Sequence, residues 1–158
     1  MAITDSQLTK VYLVPLGTAV ATAANCVTAI ATAKELQCIQ SLGDIGSTRT
    51  VQTYKCLDQA QTQKSLGSFD IGNVAVDFLF DASNATGQAE LRSIYTAGTR
   101  KIAIVKLNDQ ITPTTGNPTY VTFETAMSAE TMTIALDAAV IYKSTLEICS
   151  LPARIIAT

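Results

Sequence analysis

No histidine occurs anywhere in this chain of 158 residues. That single gap rules out Ser-His-Asp and Cys-His catalysis, and with them the common zinc sites that mix cysteine with histidine. Cysteine is sparse too. Cys26, Cys38, Cys56 and Cys149 stand far apart with no Cys-x-x-Cys pair, so they read as free, mostly buried thiols in a reduced compartment. Phosphate-binding glycine motifs are missing, and the glycines of Gly43-Asp44-Ile45-Gly46 open no helix in the way such motifs require. Asp77 and Asp81 lie on one strand face, which reads as a solvated strand end rather than a catalytic carboxylate pair. The sequence predicts a protein without enzymatic activity, metal or cofactor.

Charge is also scarce. Charged residues make up 15% of the chain, against roughly 25% in an average soluble domain, while apolar residues reach 47%. A surface so poor in charge resists association weakly, and interface cores are depleted of charge. Much of this surface is therefore expected to become subunit interface. The formal net charge is −2, and basic residues are scattered from Lys10 to Arg154 with Arg100-Lys101 the only adjacent pair. That distribution argues against a surface built to grip nucleic-acid phosphates. The opening MAITDSQLTK has neither the basic nor the apolar segment of a secretion signal, and the low-charge tract from Val11 to Ala33 is broken by Pro15, Gly17 and Asn25. Synthesis in the cytoplasm, away from membranes, is the expectation.

What the chain does have is β patterning. Its length suits one domain, residues 1–158, divided into an N-terminal arm (1–34), a β core (35–150) and a short C-terminal tail (151–158). Val11–Leu16 reads as a short strand, and the Ala/Thr-rich tract Thr18–Thr32 as an extended arm, because interleaved threonine and valine oppose a helix. Leu36–Leu42 and Thr50–Asp58 read as strands, and Asp58–Ser68 as a long polar loop. In Phe69–Asp81 the alternation is strongest: Val74, Val76, Phe78 and Phe80 face one way, with a bend or bulge at Gly72-Asn73. A helix follows over 87–97, with Leu91, Ile94 and Tyr95 on one stripe, Thr86 as N-cap and Gly98 beyond its end. Arg100–Leu107 is apolar on both faces, which predicts a strand covered on both sides. Tyr120–Met127, Thr131–Leu136 and Val140–Cys149 complete the strands, with turns at Ser128–Glu130 and Asp137-Ala138, and a tail exposing Ile155 and Ile156. The fold class is mainly β: a sandwich or barrel of about seven strands with one flanking helix.

Three phrases, GDIGSTRTVQTYKCLD, KSLGSFDIGNVAVDFLFD and TGQAELRSIYTAGTRKIAIVKLND, follow one another in an order that resembles the tail tube (major tail) proteins of lambda-like, long-tailed bacteriophages. The likeness runs from about Leu36 to Ile148 and includes the C-terminal strand pair. Thr18–Thr32 has no counterpart in that pattern, nor does the chain show the extra C-terminal domain of some members. The resemblance implies a tail-tube-like barrel, six copies of which form a ring. Rings would stack into a hollow virion tail tube that conducts DNA from capsid to host cell. It also implies partners at the tube's ends and interior: tape-measure, tail-tip and tail-terminator proteins. DNA would pass without specific binding, which suits a mildly acidic wall.

Within this frame the polar loop carrying Asp58, Gln59, Gln61, Gln63, Lys64, Leu66 and Ser68 is the candidate contact with the next ring, together with the N-terminal arm. Asp77, Asp81, Glu124 and Glu147 are the candidate lumen-facing acids, with strand register deciding which of them turn inward. Two other readings stand beside this one. A tube subunit of a contractile injection or secretion system would share the ring-forming barrel. A stand-alone β binding or adhesion domain would be a monomer with a concave or aromatic-rich surface, against which the aromatic content of 6% counts.

Overall fold

A strand whose two faces are both apolar has to be covered twice, and the chain solves this by wrapping one sheet around a core and laying a helix on its outside. The computed structural model describes residues 5–55, 61–81, 87–109 and 118–156. Along them run β1 (Asp5–Pro15), α1 (Ala23–Ala31), β2 (Lys34–Leu36), β3 (Ile39–Leu42), β4 (Thr48–Lys55), β5 (Thr62–Asp70) and β6 (Asn73–Leu79). Then follow α2 (Gly87–Ala97), β7 (Lys101–Asn108), β8 (Tyr120–Thr133), β9 (Ile141–Ile148) and β10 (Ala153–Ile155).

Eight strands form one antiparallel sheet in the order β2-β1-β7-β8-β9-β6-β3, with β10 joining β8 in line with β9. Laid flat, its outermost strands would sit about 29 Å apart at the usual spacing of about 4.8 Å. Yet β2 and β3 are joined by Gln37 and Cys38 alone, so Leu36 and Ile39 lie within about 11 Å of each other. The sheet must curl until its edges meet, as in a barrel. Cys38 takes φ +60° at this corner, and its carbonyl accepts the Leu79 N–H at 3.0 Å.

The inside of the curl is the main core. Val74, Val76 and Phe78 of β6 are fully buried against Leu146, Val105 and Phe123, and α2 closes the space with Leu91 and Ile94. Each fully buried side chain of this size is worth roughly 1.5–3 kcal/mol of transfer free energy. α2 is fastened at its first turn. Gly87 lies so close to the Glu35 carbonyl that a Cβ there would collide with backbone. The buried Gln88 donates from Nε2 to the Leu79 carbonyl at 2.8 Å and accepts the Asp81 N–H on Oε1 at 3.3 Å, tying the end of β6 to the helix. Gly98 ends the helix at φ +62°, a conformation glycine adopts without steric cost.

The outside of β1, β7 and β8 carries a second core of Tyr12, Val14, Ile102, Ile104 and Tyr120 under Cys26 and Ala29 of α1. The two-sided apolarity of β7 is thereby explained: Ala103 and Val105 face inward and Ile102 and Ile104 face α1. This corrects the extended arm expected over Thr18–Thr32. The tract holds a helix, capped by Thr22, whose Oγ1 accepts the Asn25 N–H at 3.2 Å. Its intrinsic propensity is poor, and docking of Cys26 and Ala29 on the sheet supplies what propensity lacks. Nor is β1 an arm, for it pairs with both β2 and β7 inside the sheet.

Further expectations are revised. The loop expected over Asp58–Ser68 is strand β5 from Thr62 onward, while Asp58, Gln59 and the rest of 56–60 lie outside the described residues. The long strand Phe69–Asp81 is split at Ile71-Gly72, where the chain leaves β5 and enters the large sheet as β6. Leu36–Leu42 is likewise split at the barrel corner. Ser128–Glu130 is no turn: β8 runs through it with a register shift between Met127 and Ala129, a bulge. Phe80 and Tyr95, expected on apolar faces, are exposed, and Ile155 is half-buried against the second core. The expected N-cap Thr86 lies outside the described residues.

Candidate assembly surfaces

β4 and β5 pair with each other and with nothing else among the described residues. Seventeen positions make up these two strands, and all are exposed except the half-buried Gly67. The strands form because threonine, tyrosine, valine and phenylalanine suit a pleated backbone, but no core lies beneath either face. A two-stranded hairpin standing alone is marginally stable in water. The sequence-predicted contact residues Gln63, Lys64, Leu66 and Ser68 are brought together on β5, and Gln61 immediately precedes it.

Register sorts the hairpin into two unlike faces. Arg49 lies opposite Phe69, Val51 opposite Leu66, Thr53 opposite Lys64 and Lys55 opposite Thr62. These pairs share one side, since β4 alternates regularly and the extra residue falls on β5. The face is apolar with a basic rim. The Arg49 guanidinium stacks on the Phe69 ring, 3.9 Å from its centroid. The opposite face carries Gln52, Ser65 and Gln63, with the Tyr54 hydroxyl donating to Gln52 Oε1.

The register of the large sheet gives the face on which each acidic candidate stands. Asp77 pairs with Lys143, Glu147 sits between Asn73 and Ala126, and Glu124 lies opposite Ile102. All three project from the outer side of β6-β9-β8, opposite Val76 and Phe78, and all are half-buried. Asp81 is not with them, because it follows the end of β6. Between the acids stand the short side chains Ala75, Thr145 and Ala126, so this face is flat and weakly charged. Lys143 Nζ approaches Asp77 Oδ2 only to 3.9 Å, an exposed pair of little energetic weight.

A third surface escaped the sequence reading. Thr131–Leu136 was expected to be a strand, but β8 ends at Thr133, and Ile134–Val140 forms the tip of the β8–β9 hairpin, turning at Asp137 with φ +58°. Ile134 is 75% exposed and Leu136 93% exposed, with Met132 beside them. Along β8 itself, pairing with β7 stops at Thr125, so among the described residues the stretch to Thr133 has strand partners on its β9 side only. Tyr142 holds the base of this hairpin: burial raises its hydroxyl pKa well above the usual value, and donation to Glu130 Oε2 at 2.8 Å raises it further.

Among the described residues no cluster of three or more metal-ligating side chains occurs, and no helix is long and apolar enough to cross a membrane.

The curled antiparallel sheet with its helices and hairpin has the fold of solved tail tube structures. Solved structures with that fold superpose on nearly the whole chain. The SPP1 tail tube matches at a TM-score of 0.66 with 13% identity, covering 98% of this chain and 81% of its own. A chain of the six-fold symmetrised baseplate of the anti-feeding prophage matches at 0.67 with 10% identity, covering 99% and 97%. A chain from the tail of an empty gene transfer agent particle, of six-fold helical symmetry, matches at 0.66 with 8% identity, covering 96% and 98%. The likeness extends evenly over these particles, so it defines the tube fold and not the lambda-like subgroup to which the sequence phrases pointed. No protein-family model and no curated protein matches the sequence.

Proposed function

We propose that this protein is the structural subunit of a virion tail tube, acting by self-assembly and not by catalysis. Copies join into six-membered rings, and the rings stack into a hollow conduit for DNA between capsid and host cell. The observation that carries this reading is the conjunction of a tail tube fold over 98% of the chain with a hairpin exposed along both of its strands. A free-standing hairpin with an apolar face is a poor feature for a monomer and a good one for a subunit. Six-fold symmetry in the prophage baseplate and gene transfer agent structures supports the ring.

The β4–β5 hairpin is the contact with the next ring, taking over the role expected of the loop. The outer face of β6-β9-β8 lines the channel, where Asp77, Glu124 and Glu147 keep phosphates from adhering. Tape-measure, tail-tip and terminator proteins would engage the finished tube. A tube subunit of an injection particle is the second reading, favoured by the likeness to the anti-feeding prophage chain.

Electron microscopy of the purified protein at high concentration, with light scattering, tests the proposal. Hollow tubes or stacked rings are expected. A monodisperse monomer at the highest soluble concentration would favour a stand-alone binding domain instead.

A further inference from the structure

Two buried tyrosines lack what buried polar groups normally have. Tyr12 and Tyr120 are 7% and 1% exposed beneath α1, and among the described residues no hydrogen bond reaches either hydroxyl. A buried hydroxyl without a protein partner costs free energy that contact with water returns. The element covering these rings therefore holds down a surface that gains, at two points, from being uncovered.

That cover is weakly held. From Leu16 to Ala33 the chain carries no charged residue, so no ion pair ties it to the sheet. Among the described residues its hydrogen bonds stay local. The Cys26 thiol donates to the Val20 carbonyl at 3.5 Å, the Thr22 cap serves Asn25 of the same helix, and the Thr18 hydroxyl reaches back only to the Pro15 carbonyl, at 2.7 Å. What remains is apolar contact by mostly small side chains: Cys26 and Ala29 are buried, with Val20, Ala23, Ile30 and Ala33 at the margin. A helix of nine residues is marginal by itself, so α1 persists only while that contact does.

Topology lets the segment lift without disturbing the rest. It leaves β1 after Pro15 and returns as β2 at Lys34, which pairs with Leu13. Val14 and Pro15 are held meanwhile by Ile102 and Lys101 of β7. Both ends are thus pinned side by side in the sheet, and no strand pairing involves the residues between them. The main core, on the other face of the sheet, contains none of these residues.

We propose that residues 16–33 form a flap that opens as one unit while the barrel stays folded, uncovering Tyr12, Val14, Ile102, Ile104 and Tyr120 and baring the Cys26 thiol. Closed, the flap shields an apolar face from unwanted association; open, it presents that face without loss of the barrel.

Alkylation of the free, dilute subunit by iodoacetamide, with each cysteine read by mass spectrometry of its peptide, tests this. The opening constant at Cys26 is expected to exceed at least tenfold that of the slowest β6 and β7 amides in hydrogen exchange, and to change little in low urea. Equal constants that rise together with urea would overturn the flap. Thr22→Ala, which removes the cap, should raise Cys26 labelling about fivefold and leave the β6 amides unchanged. A matching rise in β6 would overturn the flap too, since helix and barrel would then open together. Tyr120→Phe should slow Cys26 labelling severalfold, because the closed state no longer buries that hydroxyl; unchanged or faster labelling would overturn the part assigned to it.

Discussion

The curled sheet and the β4–β5 hairpin are built of the same kind of strand and live in opposite surroundings. In β6 and β7 nearly every apolar residue is buried, on one face in β6 and on both in β7. In β4 and β5 the apolar residues are as exposed as the polar ones. Stability resides in the first region, where side chains have already found their partners. Association resides in the second, where they have not. The hairpin pairs only the backbone groups that its two strands turn toward each other, and its energetic return waits for a neighbour.

Substitutions should divide along this line. The largest effect is expected from Phe78→Ala, which empties the centre of the barrel and should cost about 3–5 kcal/mol in denaturant unfolding. Gly87→Ala should follow, since its Cβ meets the Glu35 backbone and α2 must shift; a loss of about 1–3 kcal/mol is expected in the same assay. Gln88→Ala would leave the Leu79 carbonyl and the Asp81 N–H without their side-chain partner, and should cost about 1–3 kcal/mol. Val51→Asp sharpens the comparison from the other side. It should change the unfolding free energy of the monomer by no more than about 0.5 kcal/mol, yet abolish elongation seen by light scattering.

The smallest effect concerns pH. Burial raises the hydroxyl pKa of Tyr12, Tyr120 and Tyr142 above the unfolded value of about 10. A raised folded pKa means full stability below that unfolded value and progressive loss as pH climbs above it. With no histidine to titrate, the urea midpoint should stay level from about pH 6 to 8 and begin to fall beyond about pH 9, because burial raises the Cys26 thiol as well.

These regions also differ in how far they could be read from residues alone. β6, β9 and α2 were legible because each buries a periodic face, and β7 because it is apolar on both. α1 was not, because it buries fully only Cys26 and Ala29 and its threonine and valine point away from a helix by propensity. β5 was missed for the complementary reason: with both sides in solvent, Thr62-Gln63-Lys64-Ser65 has no apolar alternation to show. The tip was hidden by its own hydrophobicity. Ile134, Ala135 and Leu136 look like buried strand in one dimension, and only the path of β8 and β9 shows that Ile134 and Leu136 are exposed. Of the acids, residue spacing linked Asp77 to Asp81, whereas sheet register linked Asp77 to Glu124 and Glu147. Surfaces made for neighbours are poorly encoded in local pattern, because the pattern is completed by another copy.

Amide hydrogen exchange on the free subunit and on the assembled particle would test the central claim most directly. In the free subunit, β4 and β5 should exchange fast through local opening while β6, β7 and β9 stay protected. On assembly, protection should rise sharply in β4 and β5, with little change in the barrel. Equal exchange of the hairpin in both states would contradict the account.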